Sequence, residues 1–192
     1  MASPKKTADY FAKDPALVEK LVRKNTVYRG RMVNFNVDDI LLPDGGLATR
    51  EYMDHPGAVG VLPFLDQKTI VLVLQYRYPV GEVTLEMPAG KLDKGEKPLP
   101  CVRRELAEET GYTAKRVVPL IDYWPTSAFA NDVLHLYVAT GLTPGLHHPD
   151  EDEFIEPVVL PFKEALELVR KGKIRDSKTI IGLLVAATWR RW

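Results

Sequence analysis

An α+β fold built on a mixed β-sheet is what this sequence predicts, and three observations predict it. Short strand-like apolar runs interleave with helical stretches, with no regular strand–helix–strand repeat. Two near-continuous apolar runs, residues 58–65 and 69–75, flank Asp66-Gln67-Lys68 and read as a hairpin buried on both faces. The chain has 192 residues, 45% hydrophobic and 27% charged, an ordinary globular balance that excludes disordered and fibrous classes.

The length suits one domain of roughly 130–150 residues plus an extension. Twenty-six basic side chains match 26 acidic ones, which argues against bulk positive charge gripping nucleic acid or anionic lipid. The single Cys101 excludes an internal disulfide framework and a Cys-based zinc cluster. The opening MASPKKTADYFAKDP carries no apolar stretch behind its lysines, so no secretory signal is expected. The longest apolar runs, 70–74 and 180–187, are far shorter than the ~20 residues that span a bilayer. A soluble, cytoplasmic protein is expected.

Taken in order, residues 14–23 space Leu17, Leu21 and Val22 helically behind Asp14 and Pro15, which predicts an N-capped helix. Residues 26–38 alternate Val33, Phe35 and Val37 with polar neighbours and predict one strand. Pro43-Asp44-Gly45-Gly46 marks a turn, with 47–53 as the returning strand of a hairpin. His55-Pro56-Gly57 breaks the pattern, and the boundary falls there: 1–55 as an N-terminal helix-and-hairpin extension, 56–192 as the main domain. Within the latter, 83–87 predicts a strand and 90–97 a Gly-containing loop. Residues 99–110 predict a helix burying Val102 and Leu106. Residues 117–124, 133–139 and 158–161 predict strands, and 163–171 and 177–191 two closing helices.

The chemistry concentrates in residues 90–112, GKLDKGEKPLPCVRRELAEETGY. On a helix Glu105, Glu108 and Glu109 share one face, and the preceding loop can return Glu96 to the same patch. Bare carboxylates ~4 Å apart repel by about 4 kcal/mol per pair at an effective dielectric near 20. Protonation or a hard divalent cation relieves this, and all-oxygen donors suit Mg²⁺ or Mn²⁺ rather than zinc. An acidic helix face merely solvated and paired with Lys and Arg is the alternative for such a cluster.

The spacing from Gly90 through Glu96, Arg104-Glu105-Leu106 and Glu108-Glu109 to Gly111 resembles the Nudix hydrolase signature. Its seven specified positions coincide by chance on the order of 10⁻⁸ per start, which sets the solvated-face alternative aside. Tyr112 departs mildly, standing where the family usually carries an aliphatic residue. Gln75-Tyr76-Arg77, Met87-Pro88-Ala89, the acidic stretch 152–156 and Ile174-Arg175-Asp176-Ser177-Lys178-Thr179 look like the ADP-ribose pyrophosphatase and nucleoside diphosphate sugar hydrolase branch.

That resemblance implies an α/β/α sandwich and Mg²⁺- or Mn²⁺-dependent hydrolysis of a nucleoside diphosphate sugar. It further implies a homodimer in which the N-terminal strands reach over the partner. Glu105 and Glu109 are then the principal metal ligands, with Glu108 and the Ala89 carbonyl completing the set. Arg104 orients box carboxylates, and Gly90 and Gly111 allow turns. The general base is expected from the acidic loop 150–153, with Glu153 first and Glu151 second.

Arg77, at the end of an apolar strand, is placed to grip a phosphate bidentately. Arg50, Glu51, Arg29 and Tyr28 are further candidates for the nucleotide or the dimer partner. Residues 124–132, WPTSAFAND, lack the Ser-Pro-Gly usual in ADP-ribose-preferring members, and Asp132 replaces their Glu. GDP-mannose-type or dinucleoside polyphosphate hydrolysis, or a non-catalytic ligand sensor, stand as alternatives.

Overall fold

The structure, a computed structural model, describes residues 14–148 and 153–189. The chain divides into two units, residues 14–55 with Ala128–Ala130, and residues 56–127 with 131–189. No helix among the described residues is long and apolar enough to cross a membrane.

The N-terminal unit is a four-stranded antiparallel sheet of β1 (Lys20–Arg23), β2 (Thr26–Arg29), β3 (Asn34–Leu41) and β4 (Leu47–Asp54). β3 is its spine: β1 and β2 share one edge and β4 pairs along the other from Asn34↔Asp54 to Leu41↔Leu47. The Pro43–Gly46 turn forms as its residues demand. Gly45 takes φ 89°, a left-handed value costly for any residue with a Cβ, and the Gly46 N–H donates to Asp44 Oδ1 at 2.9 Å. Asp38, buried on β3, accepts from the Asn25 N–H at 2.9 Å and from Tyr52 Oη at 3.0 Å.

Two sequence expectations fail in this unit. The helix expected over 14–23 is a turn followed by β1, because Asp14 accepts from the Ala16 N–H at 3.0 Å and closes a tight turn instead of capping. A lone ten-residue helix is marginal in water, whereas the β3 edge offers ready ladder partners. The single strand expected over 26–38 is two, because Gly30 donates to the Val33 carbonyl at 3.0 Å and folds the chain back.

The larger unit is a seven-stranded mixed sheet. Its strands are β5 (Ala58–Phe64), β6 (Thr69–Arg77), β7 (Glu82–Glu86), β8 (Ala89–Lys91), β9 (Tyr112–Tyr123), β10 (Leu134–Pro144) and β11 (Ile155–Pro161). The main path runs β11-β6-β5-β10-β9, with β7 beside β6 and β8 beside β5. β5 and β10 pair in parallel from Ala58↔Leu134 to Phe64↔Thr140, and the other ladders are antiparallel. The expected β5–β6 hairpin closes at Phe64↔Ile70 and then opens. Each strand takes other partners from there, which buries both apolar runs on both faces.

Alternation along β5 and β10 sorts side chains to opposite faces. Val59, Val61, Tyr137 and Ala139 pack with Cys101, Val102 and Leu106 of α1 (Pro98–Thr110). Leu62, Phe64, Leu136 and Val138 join a second cluster with Phe162 and Ala165 of α2 (Phe162–Arg170) and Leu183 and Ala186 of α3 (Ser177–Thr188). Helices therefore cover both faces of the sheet. Gly182 lets α3 approach it: a Cβ there would lie 2.1 Å from Met87 Cε.

Leu136 is fully buried at the centre of the second cluster. Leu136→Ala is expected to destabilise the larger unit by about 2–5 kcal/mol, read as a lower urea midpoint with an unchanged slope.

Candidate active site

The site grows from the junction of β8 and α1. α1 opens at Pro98, whose missing N–H and fixed φ suit a first helical position, and ends at Gly111 with φ 72°. Between β8 and the helix the loop folds on itself, with the Asp93 N–H donating to Glu96 Oε2 at 3.1 Å. Glu96 is thereby turned toward Arg104, which donates to it through Nε at 3.2 Å and Nη2 at 3.0 Å.

Arg104 is the hub. Its Nη1 lies 2.8 Å from both Glu105 Oε1 and Glu108 Oε2, so one guanidinium holds three box carboxylates. The Arg104 hydrogen bonds hold Glu96 down at about 2, with burial opposing and the Asp93 N–H adding to the fall.

Glu105 and Glu109 lie on the inner side of α1, 8% and 3% exposed. Helical spacing puts them on one face, but their burial came from the sheet. The Ala89 N–H of β8 donates to Glu109 Oε2 at 2.9 Å. Gly90 faces Glu105 so closely that a Cβ would fall 1.9 Å from the carboxylate carbon. Glycine is required at 90 because the space a side chain would take is filled by Glu105.

Burial pushes Glu105 up to about 7; Arg104 opposes the rise, while the charges of Glu108 and Glu153 add to it. Burial also pushes Glu109 up to about 8, opposed by the Ala89 N–H and Lys178, and reinforced by Glu105 and Glu153. Mutual repulsion, the cause expected from the sequence, is therefore secondary to desolvation. Both carboxylates feel the charge of Glu153, which stands just before β11.

Among the described residues no three His, Cys, Asp or Glu side chains converge as a ready metal nest, since Arg104 gathers the carboxylates instead. The donor chemistry nevertheless fits a hard divalent cation. All donors are oxygens, three carboxylates face one guanidinium, and burial raises Glu105 to about 7 and Glu109 to about 8, a desolvation that a cation would offset.

The remaining candidates divide by unit. Arg77, at the end of β6, donates to Glu86 through Nε at 2.8 Å and Nη2 at 2.7 Å, and lines a cavity of about 530 Å³ with Pro79, Val80, Arg175 and Lys178. Arg50, Glu51, Arg29 and Tyr28 lie on β4 and β2 of the N-terminal unit. Arg50 Nε donates to Glu19 at 2.9 Å, and Tyr28 is exposed. Glu151 lies outside the described residues.

Sequence reasoning assigned no role to Glu86, Lys178 or Thr179, which are buried and polar. Thr179 Oγ1 accepts from the Met87 N–H at 2.8 Å and donates to Asp176 Oδ2 at 2.6 Å, tying α3 to the segment entering the box. A Lys and a Thr in the first turn of a largely apolar closing helix were the available signal.

Two outcomes are expected. Glu105 and Glu109 hold protons above their ordinary 4.5 in the folded chain, so their contribution to stability is complete below about 4.5 and is lost as pH rises through 7 to 8. Urea midpoints in EDTA should fall between pH 5 and pH 8, and the fall should shrink in Glu109→Gln. Gly90→Ala should drive the Glu105 carboxylate from its seat, leaving circular dichroism unchanged while the stabilisation of the fold by added Mg²⁺ declines.

Residues 54–181 match the NUDIX domain. The chain is 42% identical over 170 residues to a methanol dehydrogenase activator of Bacillus methanolicus, covering 86% of this chain and 90% of that one. It is 39% identical over 166 residues to an ADP-ribose pyrophosphatase of Bacillus subtilis strain 168, covering 85% and 90%. A crystal structure of an ADP compounds hydrolase superposes with a TM-score of 0.78 at 22% identity, covering 89% of this chain and 93% of that one, a likeness of fold. With the signature at 90–111 seated on β8 and α1 and the match spanning most of the larger unit, this chain belongs to the Nudix family.

Proposed function

We propose that this chain is a Mg²⁺-dependent pyrophosphatase that hydrolyses ADP-ribose or a related nucleoside diphosphate sugar to a nucleoside monophosphate and a sugar phosphate. The observation that carries the reading is the buried pair Glu105 and Glu109, seated against Gly90 and the Ala89 N–H within an intact Nudix signature. The 39% identity to an ADP-ribose pyrophosphatase supports the substrate class. Mn²⁺ is an alternative ion of the same donor preference.

Glu105, Glu109, Glu108 and the Ala89 carbonyl would hold the cation. When bound it neutralises the diphosphate and lowers the pKa of water. The chain's own residues supply the rest. Arg104 holds Glu108 and Glu105 in place from one side, and Glu96 keeps Arg104 there. Glu153, whose charge both buried carboxylates feel, takes the proton of the attacking water. A P–O bond forms to that water as the bridging P–O bond breaks. The departing phosphate leaves as an anion, and Arg77 offers a fork-shaped donor for it.

The exposed Leu21, Val22, Val27 and Tyr28 of the N-terminal unit support its role in homodimerisation. Arg50, Glu51 and Arg29 belong with this unit as contacts to nucleotide or partner. The likeness to a methanol dehydrogenase activator favours a second reading, in which the chain raises the rate of a dehydrogenase. Methanol oxidation with and without the parent chain and Glu109→Gln tests it: stimulation by the parent alone would tie activation to hydrolysis.

Product formation from ADP-ribose, GDP-mannose, ADP-glucose and diadenosine polyphosphates, over a Mg²⁺ titration, tests the main reading. ADP-ribose is expected to give the highest kcat/KM, and no turnover of any substrate would overturn it. Glu105→Gln and Glu109→Gln should each lower kcat by at least about 100-fold, and Glu153→Gln should lower kcat while leaving Mg²⁺ binding by calorimetry intact.

A further inference from the structure

Beside the carboxylates of the box lies a second ionic cluster, of which only Arg77 has a part in the mechanism above. Glu86, the last residue of β7, is 2% exposed and accepts four donors: Arg77 Nε, Arg77 Nη2, Thr84 Oγ1 and Lys178 Nζ. The β6–β7 register, Val73↔Glu86, Gln75↔Thr84 and Arg77↔Glu82, puts Arg77, Thr84 and Glu86 on one face. Arg77 therefore lies back along the sheet, its Nε edge committed to Glu86.

Lys178 enters from the first turn of α3. Its Nζ meets Glu86 and also Asp176 Oδ1 at 3.0 Å, and Asp176 caps the helix through the Thr179 N–H at 2.9 Å. With Arg77 and Lys178 against Glu86 and Asp176 the cluster is neutral. Removing the lysine charge leaves Glu86 with Arg77 as its one charged donor among the contacts above. A buried anion that loses one of two cations claims the other more strongly. Arg77 would then be a neutralised partner of Glu86 instead of a donor to an incoming phosphate.

The same segment touches the box. Glu86, Met87 and Ala89 are tied respectively to Lys178, Thr179 and Glu109. Lys178 thus sits where it sets both how far Glu86 offsets the positive charge of Arg77 and the seating of the strand that enters the signature.

We infer that Lys178, acting through Glu86, is a positioning residue that keeps Glu86 from wholly claiming the Arg77 guanidinium, leaving it aimed at the substrate's diphosphate. This rests on the reading of Arg77 as a phosphate contact. The family signature at 90–111 does not include Lys178, Glu86 or Arg77.

A double-mutant cycle on the full chain with ADP-ribose and Mg²⁺ tests it. Lys178→Met is expected to raise KM about tenfold, the order of one weakened hydrogen bond to a charged group, with kcat changing much less. Lys178→Arg should return KM most of the way to the parent value. In an Arg77→Ala background, which itself raises KM, Lys178→Met should add little. Parent-like KM in Lys178→Met, or its full effect in the Arg77→Ala background, would overturn the inference and leave Arg77 as a phosphate contact. A parent-like KM in Arg77→Ala would overturn that contact, and the inference with it. Should Lys178→Met fail to fold, Lys178→Gln, which keeps a donor to Glu86 and loses the charge, takes its place in the cycle.

Discussion

Two glutamates of one helix are held inside the protein against a strand that has no side chain to spare for them. That constraint organises the larger unit. Glu105 occupies the volume a Cβ at Gly90 would fill, and Glu109 accepts the N–H of Ala89. Both contacts require α1 to lie close on β8, and Val102, Leu106 and Cys101 provide the apolar packing that holds it there. A buried carboxylate without a matching cation is costly in water-free surroundings. The protein meets part of that cost with hydrogen bonds, part with Arg104, and part by a raised proton affinity, to about 7 at Glu105 and about 8 at Glu109.

The ionic groups around this seat fall into two tiers of different character. Arg104 is half-exposed and shared among three carboxylates, so each of its contacts is replaceable. Glu86 is enclosed, saturated with donors and held down at about 2 by Arg77 and Lys178 against the opposing effect of burial. The first arrangement suits groups that must exchange partners when a cation and a diphosphate arrive. The second suits a fixed frame. Thr179 and Asp176 extend that frame into α3, so a helix remote in sequence helps position the strand that precedes the signature.

Legibility varied along the chain for reasons that can be named. The strands 58–64 and 69–77 and the helix 98–110 were readable because apolar periodicity and Pro or Gly punctuation agreed with the final packing. The segment 14–23 was misread because its spacing of Leu17, Leu21 and Val22 suits a helix locally. A strand edge elsewhere in the chain decided otherwise. The chain reversal at Gly30 was missed because Gly-Arg-Met-Val lacks the usual turn dipeptides. Glu105, Glu108, Glu109 and Arg104 were singled out by their spacing together with its likeness to the Nudix signature. Glu86 and Lys178 were not, because their partners lie 92 residues apart.

By itself the sequence determined the family signature, the helix that bears it, the shared face of its carboxylates and their oxygen-only donor chemistry, since all of these depend on residues within one or two turns of each other. Only the tertiary structure decided that two of those carboxylates are buried and raised well above the ordinary carboxylate range, that glycine at 90 is a steric necessity, and that Lys178 of α3 shares Glu86 with Arg77. Desolvation and long-range ion pairing depend on what lies across the sheet, and nothing local in the chain encodes the distance to it.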